Sequence, residues 1–285
     1  MNLAAWRSHW SHIESWLRLA PWVIVLIFAT AGYRAMLPPS PIEATAPDAA
    51  FSAERAADHV AAISVEPHPM GSATIEAVRE YITGELAELG IGFELQSSAA
   101  RDYYGDAGSV PVVNIVARIP GTADTRAVAL VAHYDTHPRT PGANDNGAAV
   151  GALLETGRAL LAGPSLHNDV VLLFTDAEEP APRYGANAFA ADHPTMQDIG
   201  LVVNFEALGG SGASVLVETN GPQGWLTAEL AKAVSRPTAF SSVTAFTNLL
   251  GEIGTDFDVF THRASLGFEI IGHRPGKPFI SHPVK

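Results

Sequence analysis

The chain has 285 residues, of which 47% are apolar and 16% are charged, so it can bury a sizeable core and is not intrinsically disordered. A formal net charge of −13 excludes the basic footprint that a nucleic-acid-binding protein needs. No cysteine is present, which excludes disulfide scaffolds, thiolate zinc fingers, iron–sulfur clusters and cysteine nucleophiles. Any bound metal would therefore need ligands from the 11 histidines and 30 acidic residues.

The N-terminal residues predict a membrane-targeting helix. Residues 1–18, which carry Arg7 and Arg18, predict a cytoplasmic region, and the apolar residues 19–37 predict a signal anchor or a signal peptide. The small residues at 29 and 31 favour a cleaved peptide, whereas two flanking tryptophans favour an uncleaved anchor. Both interpretations place the rest of the chain outside the cytoplasm, either anchored to the membrane or secreted or periplasmic.

Residues 38–51 form a Pro/Ala-rich linker, so the folded domain is expected over residues 52–285. Helical and continuously apolar strand-like segments alternate along this domain. That pattern predicts an α/β three-layer sandwich, with a mostly parallel mixed central sheet covered by helices on both faces. The predicted helices are 52–63, 74–89, 147–161 and 224–234, and the predicted strands are 110–118, 127–132, 170–174, 199–204, 214–217 and 266–271.

Three of the predicted strands end in residues that can bind metals. His133 and Asp135 follow the second strand, Glu178 and Glu179 follow the third, and Glu206 follows the fourth. Taken one at a time, these residues are typical of surface ion pairs and solvated turns. Because the carboxyl ends of parallel strands meet at one edge of a sheet, their recurrence predicts a shared site there.

Asp145 precedes the helix at residue 147, and either it or Asn146 by itself suits a helix N-cap. Together with the strand-end residues, however, it suits a pair of cations that share one bridging carboxylate. Zinc accepts histidine nitrogen and carboxylate oxygen at similar distances. Two such ions can activate water for attack on a carbonyl, and the adjacent pair Glu178 and Glu179 can supply a proton acceptor and a metal ligand.

At this point the sequence resembles a known family, the co-catalytic zinc exopeptidases of clan MH. This family includes aminopeptidases, glutaminyl cyclases and the endoplasmic reticulum metallopeptidases, of which the last branch is most similar. The resemblance implies an aminopeptidase with two zinc ions that hydrolyses a peptide substrate. It is carried by HYDTHP (133–138), GANDNG (142–147), DAEE (176–179) and NFEALGGSG (204–212), and by EPHPMGS (66–72), VPVVNIVARIPGT (110–122), VETNGPQGWL (217–226) and GTDFDVF (254–260).

The resemblance assigns a role to each of these site residues. Glu178 would be the general base, and Asp135 would orient the imidazole of His133 from behind. The family often has a cis peptide bond after the bridging aspartate, here between residues 145 and 146. The implied metal ligands are His133 and Glu206 for the first zinc, Asp145 as the bridge, and Glu179 and His282 for the second zinc.

The second histidine ligand departs from the family pattern. His282 lies in FISHPVK, where the family has Tyr-His-Thr-Pro, and His273 is the competing candidate. The family's covering helix after this histidine has no counterpart, so the domain is expected to lack it. Two alternatives therefore stay open: a glutaminyl cyclase-like acyltransferase, and a truncated non-catalytic family member that acts as a scaffold.

Overall fold

A computed structural model describes residues 3–37, 39–123, 125–179, 182–207, 214–221, 224–234, 237–239, 254–261 and 266–272. Residues 1–38 and 39–285 are two separate compact units. In the first unit, helix α1 covers Leu3–Met36, so it begins well before the predicted targeting segment at residue 19. No helix within the described residues is both long enough and apolar enough to cross a membrane. The membrane-targeting role of residues 19–37 stays a prediction.

The second unit is an α/β domain in which strands and helices alternate along most of the chain. All four predicted helices and all six predicted strands are present. A further strand at residue 92 and the helices at residues 184 and 256 were not predicted. In chain order the elements are α2 (Ala53–Ile63), α3 (Ala73–Glu88), β1 (Gly92–Arg101), β2 (Ser109–Ile119), β3 (Ala127–His133), α4 (Gly147–Ala162), β4 (Val170–Thr175), α5 (Tyr184–Asp192), a 3₁₀ turn (Pro194–Gln197), β5 (Ile199–Ala207), β6 (Val215–Thr219), α6 (Gly224–Ala233), α7 (Asp256–Thr261) and β7 (Leu266–Gly272).

The seven strands form one mixed sheet in the order β1-β2-β4-β3-β5-β7-β6. The four strands β4, β3, β5 and β7 are parallel, whereas β1, β2 and β6 pair antiparallel. The sheet is thus mixed, as predicted, but only three of its six pairings are parallel. The expectation of a mostly parallel sheet missed β1, which a short turn joins to β2, so that the two strands run antiparallel.

Helices cover both faces of the sheet, which confirms the three-layer arrangement. All six residues of β4 are buried, and their side chains alternate between two cores. Leu172 and Phe174 pack in the core that includes side chains of α3 and α4. Val171 and Leu173 pack in the opposite core, which includes Phe189 of α5 and Phe260 of α7. This double burial explains why the strand has a continuous apolar sequence.

Candidate metal centre

The carboxyl ends of three neighbouring parallel strands carry the predicted site residues. Strand β3 ends at His133, β4 ends at Thr175 just before the DAEE turn, and Glu206 is the penultimate residue of β5. Strand β3 lies between the other two in the sheet. The sheet topology therefore brings together the residues that the sequence separates by more than 70 positions, as the strand-end pattern predicts.

His133, Asp145 and Glu206 form the centre of the cluster. The His133 Nε2 atom lies 3.2 Å from Asp145 Oδ1 and 3.4 Å from Glu206 Oε1. One ligand atom from each of the three residues lies within 4.8 Å of the others, a spacing that one metal ion can bridge. Glu178 approaches from the DAEE turn, with Oε2 at 3.9 Å from the same imidazole nitrogen.

Asp135 holds the DAEE turn against β3. Its Oδ1 accepts a hydrogen bond from the backbone N–H of Glu178 at 2.9 Å, and its Oδ2 accepts one from Glu179 at 3.2 Å. Oδ1 also lies 3.4 Å from His133 Nδ1. Between the strand and the two glutamates, Ala177 adopts a left-handed conformation with φ of 59°, which is costly for a residue with a Cβ. Asp135 thus orients the imidazole of His133, whose Nδ1 lies 3.2 Å from the backbone carbonyl of Asp135, and its carboxylate fixes the two glutamates.

The segment that carries Asp145 is anchored through its neighbour. The peptide bond between Asp145 and Asn146 is cis, as the family resemblance implies. Asn146 is 1% exposed, and its Nδ2 donates a hydrogen bond to the carbonyl of Phe205 at 2.9 Å, which ties the start of α4 to the end of β5. Asp145 itself remains half exposed, with 49% of its side-chain surface accessible. The N-cap residue of α4 is Asn146, whose side chain makes no cap bond, so the helix-cap interpretation fits the position of Asn146 and not that of Asp145.

The electrostatics of the cluster reflect many buried carboxylates around one imidazole. Burial lowers the pKa of His133, but the carboxylates of Glu206 and Glu178 outweigh it and raise that pKa well above its usual value. Burial raises the pKa of Glu178, His133 opposes this increase, and Asp256 adds to it. Burial also raises the pKa of Glu179 to about 7, and the charge of Asp145 adds the next largest increase.

Asp256, in the first turn of α7, is a residue of the cluster that the sequence reasoning did not assign. It is 1% exposed, and its carboxylate hydrogen-bonds to the hydroxyl of Thr175 at the end of β4. Burial raises its pKa to about 7, His133 lowers it, and Glu206 raises it. In the sequence, GTDFDVF contributed only to the family resemblance, because an aspartate before an apolar helix is typical of an N-terminal turn.

Tyr104 is a second unassigned neighbour of the site. It lies in the turn between β1 and β2, and its ring packs edge-on against His137 with the ring centroids 5.8 Å apart. Burial raises the pKa of Tyr104, and Glu179 raises it further. No local sequence pattern marks this residue, because β1 is largely exposed and has no apolar run that would place the turn after it.

The donor set fits divalent cations. Among the described residues, His133 Nε2 and Glu206 Oε2 are buried and have no hydrogen-bond partner, although an unpaired buried polar atom is costly. Both atoms lie in a cluster whose remaining groups are mainly carboxylates. A cation would satisfy the two atoms and neutralise the excess negative charge, and imidazole with carboxylates suits zinc.

Two of the predicted ligands need separate comment. The charge of Asp145 raises the pKa of Glu179, but Glu179 is not among the three residues whose ligand atoms lie within 4.8 Å of one another. His282 and its competitor His273 lie outside the described residues. The structure therefore brings together His133, Asp145 and Glu206, with Glu178, Asp135 and Asp256 around them.

Curated relatives match the domain over part of their length. A putative endoplasmic reticulum metallopeptidase 1-A from Caenorhabditis elegans is 32% identical over 155 residues, covering 52% of this chain and 17% of that protein. A vacuolar membrane protease from Candida dubliniensis is 28% identical over 218 residues, covering 73% of this chain and 23% of the protease. The chain spans about a fifth of the length of these relatives.

Solved structures share the fold at low sequence identity. A Porphyromonas gingivalis glutaminyl cyclase has a TM-score of 0.64 at 22% identity and covers 83% of this chain and 89% of its own. A zinc-dependent exopeptidase from Parabacteroides distasonis has a TM-score of 0.62 at 20% identity and covers 82% of this chain and 89% of its own. The sequence profile of peptidase family M28 matches residues 114–282, which is more than half of the chain. With this match and the strand-end cluster, the chain belongs to peptidase family M28.

Proposed function

We propose that the chain is a zinc-dependent aminopeptidase, with His133, Asp145 and Glu206 among its metal ligands. The proposal is supported above all by the convergence of these three residues within 4.8 Å at the carboxyl ends of the parallel strands. Glu179 and His282 are proposed to complete a second ion, so that the domain would hold two zinc ions that share Asp145. The peptide substrate would lie along this edge of the sheet, where ligands bind in such folds.

Glu178 is the proposed proton shuttle. Zinc bound at the cluster would supply Lewis acidity to a water molecule and to the carbonyl of the scissile bond. Glu178 takes a proton from the attacking water as the water oxygen bonds to the carbonyl carbon. The C–N bond then breaks, and the same carboxyl returns the proton to the leaving amine. The contacts of Asp135 suit this role, because they fix the backbone of Glu178 while leaving its side chain free to face His133.

The test compares the adjacent glutamates in the purified chain, with zinc counted per chain and hydrolysis of leucine amide measured. Glu178→Gln should keep its zinc and lose about 10²–10⁴ in turnover, the usual effect of losing a general base. Glu179→Gln should lose zinc as well as activity, because an amide is a weaker zinc ligand than a carboxylate. Near-normal turnover in both variants would refute the assignment. Formation of pyroglutamyl ends without release of amino acids would identify a cyclase instead.

We also propose that the catalytic domain lies outside the cytoplasm on a membrane. Two observations support this: the apolar segment 19–37 follows Arg7 and Arg18, and relatives in two groups are named as endoplasmic reticulum and vacuolar membrane proteins. A reporter enzyme that folds to its active form only outside the cytoplasm should be active when it is fused after residue 60. Retention in membranes after a carbonate wash would support an anchor, whereas release would support a cleaved signal peptide. Reporter activity confined to the cytoplasm would refute both arrangements.

A further inference from the structure

The turn between β1 and β2, residues 102–108, carries two tyrosines next to the DAEE turn. The rings of Tyr103 and Tyr104 pack edge-on, with their centroids 5.1 Å apart. Tyr104 also packs against an apolar cluster that includes Met70 and Ala177. Ala177 directly precedes Glu178, the proposed proton shuttle, so the contacts of Tyr104 lead to the backbone of the DAEE turn.

A second set of contacts leads from Tyr104 to Glu179. The ring of Tyr104 packs edge-on against that of His137. Burial raises the pKa of Glu179 and the backbone N–H of His137 opposes this increase, so that N–H faces the Glu179 carboxylate. Burial also raises the pKa of Tyr104, and the charges of Glu179 and then of Asp135 raise it further. Tyr104 therefore lies on the side of the metal cluster that carries the two glutamates.

The tyrosine turn is fixed in position and is open to solvent. Asp102 Oδ1 accepts hydrogen bonds from the backbone N–H groups of Tyr104 at 3.2 Å and Gly105 at 2.8 Å, and its Oδ2 accepts one from Ala107 at 3.0 Å. Tyr103 is 53% exposed, and Tyr104 is partly exposed. The Tyr104 hydroxyl has no hydrogen-bond partner among the described residues and is not one of their buried unpaired atoms, so solvent reaches it.

The proposed reaction determines which part of a peptide reaches this surface. Glu178 returns a proton to the leaving amine, so the residue that carries this amine must lie on the side of the DAEE turn. That residue is the one after the scissile bond. Bound zinc would balance the charge of the surrounding carboxylates, so the side chain of this residue would meet mainly the ring of Tyr104. A tyrosine ring favours contact with another ring or with a large apolar group.

We propose that Tyr104, supported by Tyr103, binds the side chain of the residue after the scissile bond and favours aromatic and large apolar residues there. The inference rests on the proposed aminopeptidase function and adds a substrate preference to it. A glycine at this position leaves the tyrosine ring without a partner. The turn between β1 and β2, which carries none of the proposed metal ligands, thus determines which peptides are cleaved fastest.

The first experiment measures release of leucine from the amides of leucyl-phenylalanine, leucyl-glycine and leucyl-lysine. The value of kcat/KM for the phenylalanine compound should exceed that for the glycine compound about tenfold in the unmodified chain and in Tyr104→Phe, but less than about twofold in Tyr104→Ala. The matched control is Tyr184→Ala, because Tyr184 at the start of α5 packs against the same apolar cluster. This control should retain the preference.

Three results would overturn the role of Tyr104. They are equal rates for the phenylalanine and glycine compounds in the unmodified chain, faster cleavage of the lysine compound than of the phenylalanine compound, and equal loss of the preference in Tyr104→Ala and Tyr184→Ala. Release of leucine without any preference would refute this inference and leave the aminopeptidase proposal standing.

The second experiment measures binding without turnover. Calorimetry on the zinc-loaded chain compares two uncleavable analogues, in which a CH₂–NH group replaces the scissile amide of the phenylalanine and glycine compounds. The phenylalanine analogue should bind about tenfold more tightly to the unmodified chain and to Tyr104→Phe, but less than about twofold more tightly to Tyr104→Ala. Equal binding of the two analogues to the unmodified chain would overturn the inference. Selective binding in a chain that hydrolyses no peptide would uphold the binding surface and refute the aminopeptidase proposal instead.

Discussion

Glu155 of α4 is the residue whose replacement should reveal most about the stability of the domain. Its side chain has no exposed surface and accepts hydrogen bonds from four groups. The backbone N–H of Ser52 donates to it at 2.7 Å and Arg55 Nε at 3.0 Å. Arg158 donates from Nε at 2.6 Å and from Nη2 at 2.9 Å. Both arginines also bind backbone carbonyls of residues 44–50, so Glu155 secures the entry to α2.

Glu155→Gln keeps the shape of the side chain and removes its charge. Breaking a fully buried ion pair costs about 3–5 kcal/mol, because the partner charge is left uncompensated. The side chains of Arg55 and Arg158 are 19% and 21% exposed, so water screens part of this cost. We expect the free energy of unfolding to fall by about 2–3 kcal/mol.

The matched control is Glu229→Gln on α6. Glu229 also pairs with a basic residue three positions later, Lys232, at 2.6 Å, but the two side chains are 59% and 70% exposed. An exposed pair of this kind contributes about 0.5 kcal/mol or less. The pairs Glu155–Arg158 and Glu229–Lys232 thus share their spacing along the helix, whereas Glu155 is buried and has further donors in Arg55 and Ser52.

Urea unfolding followed by circular dichroism measures both variants, first near neutral pH. Burial raises the pKa of Glu155, but the bonds from Arg158, Ser52 and Arg55 outweigh it and lower the pKa overall. A carboxyl whose pKa is lowered by folding contributes its full stabilisation when the pH is above the ordinary pKa of the unfolded chain. The stabilisation is lost as the pH falls through the lowered pKa of the folded state. The gap between the unmodified chain and Glu155→Gln should thus be constant at neutral pH and shrink in acid. A neutral-pH loss below about 1 kcal/mol, or one equal to that of Glu229→Gln, would refute the reasoning.

Three further predictions concern packing and the candidate metal centre. Gly151→Ala should lower the free energy of unfolding by about 1–3 kcal/mol in urea titrations, because the added Cβ would lie 2.5 Å from a backbone carbonyl of α2. Gly84→Ala in α3, where a Cβ meets no atom within 4 Å, should instead stabilise by about 0.5–1 kcal/mol, and a loss of stability there would contradict the packing argument. Asp135→Asn keeps only one acceptor oxygen for two backbone N–H groups, so zinc affinity measured against a competing chelator should fall by about 10–100-fold, and unchanged affinity would show that Asp135 does not position the site. Zinc supplied at a hundred times its Kd should raise the free energy of unfolding by about 2.7 kcal/mol, and this gain should disappear in His133→Ala if the imidazole is a ligand.

The strand-end residues could be predicted from the sequence because the signals that place them are local. The continuous apolar run of β4 predicts a strand buried on both faces, and the rule that sites lie at the carboxyl ends of parallel strands then points to Glu178 and Glu179. The same reasoning places His133 and Glu206. Consecutive residues of a strand show whether one face or both faces are buried, so the sequence alone is enough to predict this burial pattern.

The hydrogen bonds inside the site could not be predicted from the sequence, because they join residues that are far apart along the chain. Asp135 reaches the N–H groups of a turn 43 and 44 residues away, and Thr175 meets Asp256 across 81 positions. Each of these residues also has an ordinary local explanation, as a partner of His133 or as a helix cap. Only the folded chain shows which bond is made.

The antiparallel edge and the contact between α2 and α4 were likewise decided by tertiary structure. Strand β1 is largely exposed, so its sequence lacks the apolar run that marks β4, and its pairing with β2 fixes it in the sheet. The alanines of α2 and α4 are typical of any helix. They become part of a close helix contact only because Gly151, which lacks a Cβ, lets α4 approach the backbone of α2 at Ala56. Sequence periodicity determines which elements form, whereas the space between elements depends on how closely distant backbones can pack.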